Sequence, residues 1–123
     1  MPTDADRSPR SDCLFCRIAR GELPSQVVVD DEDLMAFHDI APRSPTHILI
    51  IPRAHIPSAA DLTEDDGPLL GRLFATAARI AREQGIADAG YRIVSNVGRW
   101  GGQTVDHLHL HLMGGRAFSW PPG

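Results

Sequence analysis

Residues 105–115 read VDHLHLHLMGG, with His107, His109 and His111 at alternate positions and Leu108, Leu110 and Leu112 between them. Alternation with period two is strand patterning, because successive side chains of an extended chain point to opposite faces. A helix would scatter the same residues around its circumference. One face of the expected strand is therefore apolar, and the other carries three imidazoles spaced roughly 6–7 Å apart. That spacing leaves room beside the row for a phosphate-sized group or a metal ion. The whole chain holds six histidines, so chance clustering of half of them on one face is a weak explanation. An H-x-H pair can supply two ligands of a zinc site. A neutral imidazole can also attack phosphorus while its neighbours hydrogen-bond phosphoryl oxygens or move protons near pH 7.

The stretch NVGRWGGQT (96–104) runs directly into the row. Gly98, Gly101 and Gly102 permit close approach of backbone N–H groups to an anion, and Gln103 and Thr104 add side-chain donors. No G-K-[ST] follows, which excludes a Walker loop. Leading into three histidines, the loop reads as a phosphate cradle.

Further out, CLFCRIARGELPS (13–25) reads as a short helix ended by Gly21 and Pro24. QVVVDDEDLMAFHDI (26–40) reads as a hairpin with an acidic turn, and THILIIP (46–52) as an apolar strand. Thr63 and Asp66 form a capping-box pattern before a stripe of Leu69, Leu73, Ala77, Ile80 and Ala81, which Gly85 stops. YRIVSN (91–96) is a further strand. About five strands and two helices with hairpin-type connections imply an antiparallel α+β domain.

The 123 residues suit one domain, with residues 13–123 forming it and the polar residues 1–12 a flexible arm. Hydrophobic residues make up 42% of the chain and the formal charge is −4, with no basic run of the kind a nucleic-acid groove needs. No apolar stretch approaches the roughly 18–20 residues of a membrane span. The N-terminal residues lack the apolar core of a signal peptide, so a cytoplasmic protein is expected. In a reducing compartment Cys13 and Cys16, in CLFC, form half a zinc site or a redox pair more readily than a structural disulfide. No strand precedes Cys13, which weakens the redox alternative. On chemistry alone Asp39 fits a turn carboxylate best, with a ribose-diol acceptor as the functional alternative. Phe15, Ile18, Phe37 and Ile40 fit core positions, and His38, His47 and His55 fit structural histidines.

The stretch HLHLHLMGG resembles the H-φ-H-φ-H-φ-φ signature of the histidine triad family, where φ is apolar. The likeness continues through CRIARGELPSQVVVDDEDLMAFHDIAPRSPTHILIIPRAHI, YRIVSNVGRWGGQTVDHLHLHLMGGR and the terminal WPPG. It is greatest with the nucleotide-binding branch of purine nucleoside phosphoramidases. The resemblance implies a five-stranded antiparallel sheet with two helices, and a homodimer whose sheets join into ten strands. It implies AMP or GMP joined to an amine as substrate and no catalytic cofactor. His109 would attack phosphorus to give a nucleotidyl-histidine, and His111 would bind phosphoryl oxygens. His107 and His47 would orient His109, and the Thr104 hydroxyl would serve the leaving group. Asn96, Gly102, Gln103, Thr104 and Val105 would surround the phosphate, and Asp39 would hold the ribose. Phe15, Ile18, Phe37, His38, Ile40 and Leu49 would form the purine pocket, with Trp120 reaching towards the partner's site. Some bacterial members hold structural zinc, which here implies Cys13, Cys16, His47 and His107 as ligands. Asp106, where an aromatic residue is common, would favour basic amines. The alternatives are a nucleotide-binding or scaffolding module, a dinucleoside polyphosphate hydrolase or nucleotidyl transferase, and a zinc enzyme using H-x-H. The complete triad disfavours a mere binder, the triad context with the WPPG ending disfavours the related hydrolase or transferase, and the zinc enzyme lacks an obvious third distant ligand apart from His47.

Overall fold

A computed structural model describes residues 6–123. The element order is α1 (Leu14–Ala19), β1 (Val27–Asp30), β2 (Leu34–His38), β3 (Thr46–Pro52), α2 (Gly67–Glu83), β4 (Arg92–Val94) and β5 (Leu110–Gly114). The strands make one antiparallel sheet in the order β1-β2-β3-β5-β4. This is the expected five-stranded α+β architecture with two helices. Among the described residues, no helix is long and apolar enough to cross a membrane.

Strand parity sorts the side chains into two layers. Leu34, Ala36, Ile48, Ile50, Leu110 and Leu112 face one way and pack against Leu73, Ala77, Ile80 and Ala81 of α2. Met35, Phe37, Leu49 and Ile51 face the other way and pack against Phe15, Cys16 and Ile18 of α1. The leucines of the HLHLHL stretch thus belong to the main core, and His109 and His111 to the α1 face. The ladder itself starts only at Leu110; before it the chain is held by Leu108 N–H donating to the Ile56 carbonyl at 2.6 Å. The β4 ladder is likewise shorter than the expected strand over 91–96.

α2 starts and stops as its sequence signals predict. Thr63 N–H donates to Asp66 Oδ2 at 2.9 Å, and a short 3₁₀ turn leads into the helix, with Pro68 in its first turn. At the other end Gly85 has φ +75°, its N–H donating to the Arg82 carbonyl and Ile86 N–H to the Ala81 carbonyl. That paired closure requires a left-handed residue, which glycine supplies without steric penalty.

Of the arm expected over 1–12, residues 1–5 lie outside the described residues. Arg7 is anchored: its guanidinium grips Asp66 at 2.7 and 3.2 Å, and its carbonyl accepts from His55 N–H at 2.8 Å. Residues 8–12 are exposed. Apolar periodicity in the sequence could not register this anchor, which includes an ion pair, a bond to the Asp61 carbonyl and a backbone bond.

The hydrogen bonds from Arg7 and Thr63 hold the Asp66 carboxyl below its usual range. Its folded pKa lies below the unfolded one, so its stabilisation is present above the unfolded value and is lost as pH falls through the folded value. Asp66→Ala is expected to cost about 1–2 kcal/mol at neutral pH. Urea unfolding of variant and wild type should show the gap narrowing below about pH 4. A gap that persists unchanged in acid would contradict this role.

Candidate active site

A cavity of about 850 Å³ opens on the α1 face of the sheet. Phe15, Ile18, Phe37, His38, Asp39, Ile40, Leu49, Thr104, Val105, His109 and His111, all named from sequence, line it together. Leu14, Leu23, Pro24, Ser25, Gln26 and Pro42 also line it, and were not singled out from sequence. The LPSQ segment carries no chemical mark; it reaches the cavity because the chain must cross its rim between α1 and β1. The walls are largely apolar, with His109 and His111 side by side among them, an arrangement suited to a flat aromatic ligand with an anionic tail.

The glycine loop is placed differently from the expected cradle. The N–H groups of Gly101, Gly102 and Gln103 donate to carbonyls within the loop, and Gly98 N–H donates to Gln103 Oε1 at 2.9 Å. Asn96 Nδ2 donates to the Gly101 carbonyl, and Gln103 Nε2 to the carbonyls of Pro57 and Val105. Asn96, Gly102 and Gln103 therefore brace the loop and do not line the cavity, to which only Thr104 and Val105 project from this segment. Turn geometry consumes the donors that the composition offers. Trp120, 84% exposed, is also absent from the lining. Asp106 lines a neighbouring cavity of about 530 Å³ with Arg10, Asp12 and His55.

Two hydrogen-bond chains fix which nitrogen of each ring carries a proton. A carbonyl can only accept, so the 2.6 Å contact between His109 Nδ1 and the His107 carbonyl places the proton on Nδ1. The lone pair of a neutral His109 is then on Nε2. Arg43 N–H donates to His47 Nδ1 at 3.0 Å, so neutral His47 carries its proton on Nε2. That nitrogen faces His111 Nδ1 at 2.9 Å, which must accept, leaving the His111 proton on Nε2. Asp39 Oδ2, 3.4 Å from His47 Nε2, lies beside the same proton. Burial, with His109 and His47 nearby, pushes the His111 pKa down to about 4. Burial also lowers that of His47 despite the opposing Asp39 charge. His47 and His111 are thus neutral at pH 7. The site presents a nucleophilic nitrogen on His109 and an N–H donor on His111, whose ring centroids are 4.9 Å apart.

The metal ligands expected from sequence need one correction. Cys13, Cys16 and His107 do come together, but the fourth member is His55, not His47. Register is the reason. Thr46 pairs with Gly114 and Ile50 with Leu110, so His47 lies opposite Met113. Continuing that register puts His107 opposite residue 53, six positions or roughly 20 Å along the strand from His47. Beyond the ladder Leu108 N–H meets the Ile56 carbonyl, which brings His55 rather than His47 beside His107.

The four side chains are all buried, and their ligand atoms lie within 4.8 Å of one another. Cys13 Sγ is 3.3 Å from His107 Nδ1, and Cys16 Sγ is 3.6 Å from His107 Nδ1 and 3.4 Å from His55 Nδ1. A tetrahedron with zinc bonds of about 2.0–2.3 Å has edges of roughly 3.3–3.8 Å, so the donor set fits. His107 Nε2 lies 2.8 Å from the Pro52 carbonyl and donates to it, which leaves Nδ1 free to bind. Asp39, His47 and His111 also cluster, but the His47 proton occupies Nε2, the atom a metal would need, so that set does not fit.

The model of the HIT domain matches residues 20–118. The purine nucleoside phosphoramidase of Escherichia coli is 48% identical over 103 residues, covering 84% of this chain and 87% of that protein. An uncharacterized HIT-like protein of Synechococcus elongatus is 46% identical over 112 residues, covering 91% and 97%. The crystal structure of a HIT family hydrolase from Legionella pneumophila superposes with a TM-score of 0.90 at 50% identity, covering 91% of this chain and all of that one.

Proposed function

The chain belongs to the HIT domain, or histidine triad, family, and from that premise we propose that it is a purine nucleoside phosphoramidase that cleaves the P–N bond of AMP- or GMP-amine conjugates. The observation that carries this is the protonation order of the site: Nδ1 of His109 is committed to the His107 carbonyl, which leaves Nε2 as the nucleophile.

The purine lies among Phe15, Ile18, Phe37 and Leu49, and the Asp39 carboxylate accepts from the ribose hydroxyls. His109 Nε2 attacks the phosphorus, a P–N bond to histidine forms, and the P–N bond to the amine breaks. The Thr104 hydroxyl, which lines the cavity, serves the departing amine, and the amine takes up a proton from solvent. The His111 N–H stabilises the charge that builds on the phosphoryl oxygens. Water then attacks the same phosphorus, the bond to His109 breaks, and the nucleoside monophosphate leaves. Hydrolysis of an adenosine 5′-phosphoramidate carrying a fluorescent amine tests this. Turnover is expected; AMP binding without turnover would make the protein a binding module instead.

Asp39→Asn keeps the side chain's shape and removes its charge. It is expected to weaken AMP binding about tenfold or more, since hydrogen bonds to a charged group contribute roughly 1.5–3 kcal/mol. Calorimetric titration with AMP measures this, and an unchanged Kd would remove Asp39 from the ribose site.

Cys13, Cys16, His55 and His107 are proposed to hold a structural zinc ion, because four protein ligands close the coordination shell. Free, paired cysteines suit a reducing cytoplasm. The homodimer implied by the family resemblance is supported by β4, whose outer edge is unpaired in the sheet order, and by the exposed Trp120.

A further inference from the structure

We infer that Arg116, in the turn after β5, is a positioning residue for the His47–His111 pair, acting through the Arg43 backbone. Arg116 does not line the cavity and touches none of the triad rings. Its Nη2 donates to the Arg43 carbonyl at 3.1 Å, while the N–H of the same Arg43 donates to His47 Nδ1 at 3.0 Å. One residue of backbone therefore links the guanidinium to the bond that decides which nitrogen of His47 is protonated. His47 in turn sets His111 through the 2.9 Å contact between their rings.

Two further features hold this strap in place. The Arg116 guanidinium lies over the Phe118 ring at 4.2 Å from its centroid, and Arg92 lies on the same ring at 5.1 Å while bonding the Ser119 carbonyl. Stacking of this kind limits the rotamers from which the guanidinium can reach Arg43. Next to it, Gly115 has φ +91°, and a Cβ built there would stand 2.8 Å from Pro45 Cβ. The turn after β5 is thus pressed against the segment that carries Arg43. The loop between Asp39 and His47 is closed by its own bonds, Asp39 N–H to the His47 carbonyl and Ala41 N–H to Asp39 Oδ1. The Ser44 hydroxyl also donates to the Thr46 carbonyl at 2.5 Å. None of these bonds is made to the Arg43 carbonyl, which accepts from Arg116 and is one residue's backbone away from the N–H that meets His47.

The kinetic part of this inference rests on the phosphoramidase reading, and the spectroscopic part does not. Arg116→Met keeps the bulk of the side chain and removes its donors, whereas Arg116→Lys keeps one donor. Nitrogen-15 ring spectra of the full-length protein report the tautomers of His47 and His111 without any substrate. The wild type should show both rings protonated at Nε2. Arg116→Met should show His47 partly protonated at Nδ1, and Arg116→Lys should restore the wild-type pattern. In parallel, kcat of Arg116→Met should fall roughly three- to thirtyfold with little change in KM. Wild-type ring spectra in a folded Arg116→Met variant would overturn the inference, even with normal turnover. Altered tautomers in a protein whose wild type does not hydrolyse the phosphoramidate would uphold it and discard the phosphoramidase reading. Should Arg116→Met fail to fold, Phe118→Leu, which removes the stacking surface, carries the same expectation.

Discussion

Replacing His109 with alanine is expected to lower kcat for P–N hydrolysis by at least about a thousandfold, a loss of roughly 4 kcal/mol of transition-state stabilisation. The size of the effect follows from the chemistry proposed for one nitrogen. In the proposed reaction His109 Nε2 is the atom that bonds to phosphorus, and the neighbouring triad ring offers no substitute. His111 offers N–H, because its Nδ1 accepts from His47. AMP binding should survive, since Asp39 and the apolar walls are untouched. Parallel rate and calorimetric measurements on the variant separate the two. A variant that hydrolyses at the wild-type rate would show that water or another group makes the attack.

The second large effect is expected at the buried cysteines. Cys16→Ser should lose zinc and lower the melting temperature by on the order of 10 °C. If zinc is held at about a thousandfold over its Kd, it contributes roughly 4 kcal/mol to stability, and each kcal/mol shifts a domain of this size by several degrees. The loss should also reach catalysis, because the His107 ring belongs to the cluster while its carbonyl orients His109. A strong zinc chelator acting on the wild type should reproduce both changes. Elemental analysis that finds well under one zinc per chain, with both thiols reduced, would contradict the assignment.

The fold was legible where sequence periodicity and packing share a cause. The alternation in HLHLHL separates two layers of the sheet because leucine belongs in the larger core. The stripe ending at Gly85 marks α2 because each of its signals is local. The lining of the cavity from Phe15 to His111, proposed to take the nucleotide, was legible only through the family resemblance; on their own Phe15, Ile18 and Phe37 are indistinguishable from core. What sequence missed depends on geometry between distant segments. His55 reaches the cysteines through strand register. Arg7 is held by one carboxylate across the fold. The glycine loop misled because its composition advertises free N–H groups, while its turns use those groups internally.

The covalent role of His109 is tested most directly at phosphorus itself. A single P-diastereomer of an adenosine 5′-phosphoramidothioate, hydrolysed in heavy-oxygen water, reports the stereochemistry without requiring an intermediate to accumulate. Attack by His109 followed by attack by water makes two in-line displacements, so the product should retain configuration. Inversion would mean that water displaces the amine in one step, and the nucleotidyl-histidine would have to be abandoned.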